Sequence, residues 1–120
     1  MRKINFLLIG FLFLAFFTLS CNNETNEDLY YKGVKYGKNG EYKKAMTCFD
    51  TLLESDPDYA EAYKARGDVK FTLLDVEGAL ADYDKAIALK ADFGDAYLNR
   101  GSAYILWICK MRPVKTFVRH

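Results

Sequence analysis

The chain carries few side chains able to do chemistry. One residue of 120 is a histidine, His120, at the extreme end. A metal site needs three or four ligands and a nucleophile needs a base within reach, and a lone terminal imidazole supplies neither. The acidic residues are many, but pairs such as Asp82 and Asp84, or Glu61 and Asp68, read as solvated helix faces with helical ion pairs. No glycine cluster leads into Gly-Lys-Ser/Thr, so no phosphate loop is expected. The nine Tyr and nine Phe divide between an apolar leader and repeated segments. They are not interleaved with basic residues as a platform for stacked bases would be. The residues therefore predict no enzyme, no metal, no cofactor and no nucleic-acid partner.

The residues that recur are small and aromatic. Ala60–Gly67 reads AEAYKARG, and 34 positions on Gly94–Gly101 reads GDAYLNRG. The same shift superposes Gly33, Gly67 and Gly101, sets Ala45 on Ala79 and Phe49 on Tyr83, and sets Leu29 on Tyr63 and Tyr97. Apolar residues within each unit fall at helical steps. Tyr42, Ala45, Met46, Phe49, Leu52 and Leu53 form one stripe; Ala79, Leu80, Tyr83, Ala86, Ile87 and Leu89 form another. Gly37–Glu41 is a turn cluster, and Pro57 stops the helix before it. A helix-interior glycine costs about 0.5–1 kcal/mol relative to alanine, so Gly33, Gly67 and Gly101 are expected to admit a facing helix. Ala45 and Ala79 would do the same from the other side, with Phe49 and Tyr83 above them.

A 34-residue period with these small and aromatic positions resembles the tetratricopeptide repeat. The resemblance implies an all-α fold of antiparallel helical hairpins, a short solenoid of about two and a half repeats. Residues 26–59 and 60–93 would be the two full repeats, and 94–107 the first helix of a third. It also implies a concave face that binds a peptide or partner protein. Its groove residues would be Tyr30, Val34 and Lys38, then Lys64, Asp68 and Thr72, then Leu98, Ser102 and Ile105. Some members clamp a C-terminal carboxylate with Lys, Asn and Arg. The matching positions here are Tyr30, Val34, Asp68, Leu98 and Ser102, so that clamp is absent and Asp68 is expected to repel a carboxylate.

Both ends depart from the repeat. Arg2 and Lys3 precede an apolar run to Phe17, then Thr-Leu-Ser and Cys21, the layout of an export signal over residues 1–20. The Leu19-Ser20-Cys21 ending resembles the lipobox of bacterial lipoproteins, with Thr18 where such boxes carry Leu. It implies cleavage before Cys21, lipidation of its thiol, and a place in the cell envelope, with outer membrane favoured because Asn22 is not the retention aspartate. Residues 21–28 would be a polar linker. In an exported chain Cys48 and Cys109 could pair, although Cys48 within an apolar stripe reads as a small core residue. At the other end the period fails after Leu106, and Pro113 stands where Ala45 and Ala79 predict a small residue. Residues 108–120 are expected to be a basic, irregular tail. Residues 21–109 hold 11 basic and 16 acidic side chains, whereas the last eleven residues hold four basic and none acidic. Three readings of this end compete. The chain could be a truncated copy of a longer repeat protein. The apolar end near Trp107 could dock a partner or a second copy, as in an envelope assembly subunit. Or the tail could return to the membrane interface.

Overall fold

The computed structural model describes residues 23–112. The leader, the lipidation candidate Cys21, and the segment Pro113 to His120 lie outside them. Five helices follow one another, α1 (Asn26–Lys38), α2 (Tyr42–Ser55), α3 (Ala60–Thr72), α4 (Val76–Leu89) and α5 (Gly94–Met111), with no strand among the described residues. Each helix packs on the next, and α3 also touches α1 and α5. The result is a short tetratricopeptide-type solenoid: two hairpins, α1–α2 and α3–α4, with α5 stacked on the second.

Local chemistry sets most boundaries. Thr25 Oγ1 accepts from the Asp28 N–H at 3.1 Å, and the Asp28 carboxylate accepts from the Thr25 N–H at 3.0 Å. This reciprocal capping box fixes the start of α1. The polar segment expected to be linker through residue 28 therefore ends at Thr25. Asn26, Glu27 and Asp28 are helical because the cap satisfies donors that would otherwise be orphaned. Asn26 is tied further, since Ser55 Oγ donates to its Oδ1 at 2.7 Å. At the other end, α5 continues four residues past Trp107, the boundary predicted from the repeat. Nothing in Ile108–Met111 breaks a helix, whereas Arg112 precedes proline and leaves helical geometry at φ −120°.

The turns inside the hairpins share one backbone solution. Gly40 and Leu74, 34 positions apart, both adopt positive φ, 78° and 63°. Glycine does this freely; leucine does so against its side chain.

The core sits between the helices of each hairpin. Ala45, Phe49, Leu52, Leu53, Ala62 and Val69 form one buried cluster, and Val76, Ala79, Tyr83 and Ala103 another. A Cβ placed on Gly33 would lie 2.6 Å from Phe49 Cε1, and one on Gly67 would lie 2.8 Å from Tyr83 Cε1. Both glycines are thus sockets for the aromatic ring of the facing helix, as the spacing predicts. Gly101 differs: among the described residues no atom of another element lies within 4 Å of its Cβ direction. It occupies the same point of α5, but no second helix of its own repeat faces it among the described residues.

Candidate functional site

The first helices of the repeats, α1, α3 and α5, line one face. Between α1 and α3, with α2 as floor, lies a cavity of about 340 Å³. Six of the nine predicted groove residues line it: Tyr30, Val34, Lys38, Lys64, Asp68 and Thr72. Phe49 and Val69 supply its apolar base. A second hollow of about 240 Å³ continues the face toward α5 and gathers Asp68, Thr72, Asn99 and Ser102. Leu98 and Ile105 line neither hollow; they stand exposed on α5.

Asp68 lies at the junction of the two hollows and is not the solvated acid that its helical spacing suggested. Its Oδ1 accepts from the Tyr83 hydroxyl and from Asn99 Nδ2, each at 2.8 Å. Its Oδ2 pairs with Lys64 Nζ at 2.7 Å. Three helices thus meet on one carboxylate. Burial first, then the hydrogen bond to Asp68, pushes the Tyr83 phenol well above its ordinary value, so it remains a donor. The charge of Asp68 is offset by Lys64, and among the described residues Lys38 makes no ion pair. The groove therefore presents a positive rim at one end and an aromatic wall at the other. There Tyr30 stacks tilted on Tyr59, with ring centres 5.5 Å apart, and burial followed by the nearby Glu61 charge raises its phenol.

Asp82 also departs from expectation. It is only 4% exposed. Arg66 donates to it through Nε at 2.9 Å and Nη2 at 2.8 Å, and Lys70 Nζ lies 3.0 Å from its Oδ2. Arg66 also reaches Asp50 through Nη1 at 2.8 Å. One repeat later Arg100 donates to Asp84 at 2.9 Å. Each arginine thus ties the first helix of one repeat to the second helix of the repeat before it. Hydrogen bonding to Asp82 holds the Arg66 guanidinium above even its ordinary value. Asn99, Arg66 and Arg100 are the residues that sequence reasoning missed. A signal existed for the arginines, since Arg66 and Arg100, and Asp50 and Asp84, each recur at the 34-residue period.

Cys48 and Cys109 are both free thiols, Cys48 buried and Cys109 exposed. Among the described residues no three His, Cys, Asp or Glu side chains gather as metal ligands, and no helix is long and apolar enough to cross a membrane.

No family model matches the chain. It is 36% identical over 72 residues to RNA polymerase II-associated protein 3 of Xenopus laevis, a match covering 60% of the chain and 11% of that protein. The chain thus spans about a tenth of the length of this relative. Among solved structures it resembles the first TPR of Spaghetti (RPAP3) bound to HSP90 peptide SRMEEVD. That match has a TM-score of 0.67 and 25% identity, covering 78% of this chain and 85% of the other. It also resembles the TPR2B domain of yeast Sti1 in complex with pHsp70, with a TM-score of 0.66 and 24% identity, covering 68% and 66%. The second likeness bears on the fold alone.

Proposed function

We propose that the chain is a lipid-anchored protein-interaction module of a bacterial cell envelope, whose α1–α3 groove holds an extended peptide. The observation that carries the reading is the 340 Å³ hollow lined by Tyr30, Val34, Lys38, Lys64, Asp68 and Thr72. It combines an apolar floor with a few fixed polar groups, the usual make-up of a binding cleft. The RPAP3 domain that this chain resembles holds an HSP90 peptide, which supports peptide binding as the use of such a face. The reading is non-enzymatic. Lys38, Lys64 and Asn99 stand on this face, but Tyr30, Val34, Asp68, Leu98 and Ser102 occupy the positions where the clamp carries Lys, Asn and Arg, so the bound peptide is recognised along its length and not by its end.

Peptide-library display against the chain, followed by fluorescence anisotropy on the ligands found, tests this. Val34→Arg should weaken binding at least tenfold by filling the groove with charge. Amidating the C-terminus of a bound peptide should leave its affinity unchanged. A ligand unaffected by Val34→Arg would place the site elsewhere, and a large loss on amidation would restore the clamp. The anchor is tested apart: Cys21→Ser should release the protein from membranes, and tight attachment by that variant would refute lipidation.

A further inference from the structure

The two hollows of the groove face differ in what they offer. The one between α1 and α3 has Lys38 and Lys64 against the single acid Asp68, a lining charge of +1 over an apolar floor. The one between α3 and α5 is lined by Asp68, Phe71, Thr72, Tyr83, Asn99 and Ser102, one acid and no base, a charge of −1. Lys64, which pairs with Asp68, lines only the first. It offsets part of the Asp68 charge from there, so the second hollow calls for hydrogen-bond donors as much as for positive charge.

The hydrogens around the second hollow are already committed. The Thr72 hydroxyl donates to the Asp68 carbonyl at 2.9 Å, and the Ser102 hydroxyl to the Leu98 carbonyl at 3.2 Å, each one turn back on its own helix. The Tyr83 hydroxyl and one N–H of Asn99 donate to the Asp68 carboxylate, itself a pure acceptor. Asp68, Thr72, Tyr83 and Ser102 can therefore only accept from a group that enters; Asn99 alone keeps an N–H to give. An entering carboxylate would find its oxygens largely unmatched, at the full cost of their desolvation. A group with many donors and no acceptor fits.

Lysine and arginine side chains both meet that description. Phe71 separates them. It packs partly buried against the second core cluster and lines the hollow, and a planar guanidinium stacks on such a ring while its fork of N–H groups spans several acceptors. The volume of about 240 Å³ admits a guanidinium with part of its stem.

Resting on the peptide-groove reading above, we infer that the peptide carries an arginine whose guanidinium enters the α3–α5 hollow, while an apolar side chain fills the α1–α3 hollow. The two hollows lie on either side of α3, and a helix with its side chains is about 10 Å across. An extended chain advances about 3.3 Å per residue and turns alternate side chains to one face. The arginine therefore stands two or four residues from the apolar one, about 7 or 13 Å along the peptide.

A random heptapeptide display library, selected on the full chain in mild detergent, tests this. The expected result is enrichment of arginine two or four residues from an apolar residue. In synthetic copies of the selected peptides, Arg→Ala should weaken binding about tenfold or more, as loss of a charge-assisted hydrogen-bond set does, and Arg→Lys should weaken it measurably. Ser102→Lys places a cation in the hollow from an exposed position of α5. It should weaken the arginine peptides by about as much, leave their alanine versions unchanged, and keep the helical signal in far-UV circular dichroism. Selected peptides that lack arginine, or that are indifferent to Arg→Ala and to Ser102→Lys, overturn the inference. If those peptides are still lost on Val34→Arg, the groove reading stands without it; if they also survive Val34→Arg, both fall.

Discussion

Alanine placed at each of the three equivalent glycines should give opposite signs. On a helix interior Gly→Ala stabilises by about 0.5–1 kcal/mol through backbone entropy alone. At Gly67 the new methyl would sit 2.8 Å from Tyr83 Cε1 and 3.3 Å from Asp82 Cβ. Neither neighbour can yield cheaply. Tyr83 is fully buried and its hydroxyl is held by Asp68, and Asp82 is fixed by Arg66 and Lys70. Overpacking of a filled core costs about 1–3 kcal/mol, so Gly67→Ala should be net destabilising by about 1–2 kcal/mol. At Gly33 the methyl would meet Phe49 at 2.6 Å. That ring is buried but carries no hydroxyl tether, and a loss of about 1 kcal/mol is expected. At Gly101 the methyl meets nothing within 4 Å among the described residues, so the helix gain of about 0.5–1 kcal/mol should appear undiminished. Urea unfolding followed by far-UV circular dichroism, with unchanged m-values, reads all three. Equal shifts at the three positions would refute socket packing as the reason they share a spacing.

Replacing Leu74 by glycine should stabilise the chain by about 0.5–1 kcal/mol, because φ of 63° strains a leucine that makes this turn where Gly40 makes its counterpart; thermal melts would show it as a raised Tm. Asp82→Asn should destabilise by about 3 kcal/mol, since it leaves Arg66 and Lys70 without their shared buried counter-charge; a loss within 0.5 kcal/mol, roughly that of an ordinary surface substitution, would show the pair to be solvated. The Asp28 carboxyl is held below its ordinary value by the Thr25 hydroxyl and then the Thr25 N–H, and that of Glu61 by its own N–H and then Lys90. Both groups bind protons more weakly folded than unfolded. Their contribution is therefore full above the ordinary carboxyl range and is lost as pH falls through and below about 4. Thr25→Ala should both remove about 1 kcal/mol of capping and flatten that acid limb, as a series of unfolding curves between neutral pH and pH 3 would reveal.

The sequence by itself determined the architecture. A stripe repeating every three to four residues makes a helix, a turn cluster folds it back, and a 34-residue recurrence of glycine against ring makes each hairpin bury its neighbour's face. These are consequences of local geometry, and Gly33 with Phe49 and Gly67 with Tyr83 follow from them directly. The groove was legible where its residues lie on two adjacent full repeats, and less so on α5, where Leu98 and Ile105 stand apart from the hollows. Tertiary structure alone decided what the charges do. Helical spacing puts Asp68 and Asp82 on a polar side, but it does not say which neighbouring helix brings a counter-charge there. Arg66 arrives at Asp82 from α3, and Tyr83 and Asn99 reach Asp68 from α4 and α5. Asp82 can be buried because Arg66 and Lys70 reach it from another helix, and the distance between elements is written in their packing, not in the order of residues along any one of them.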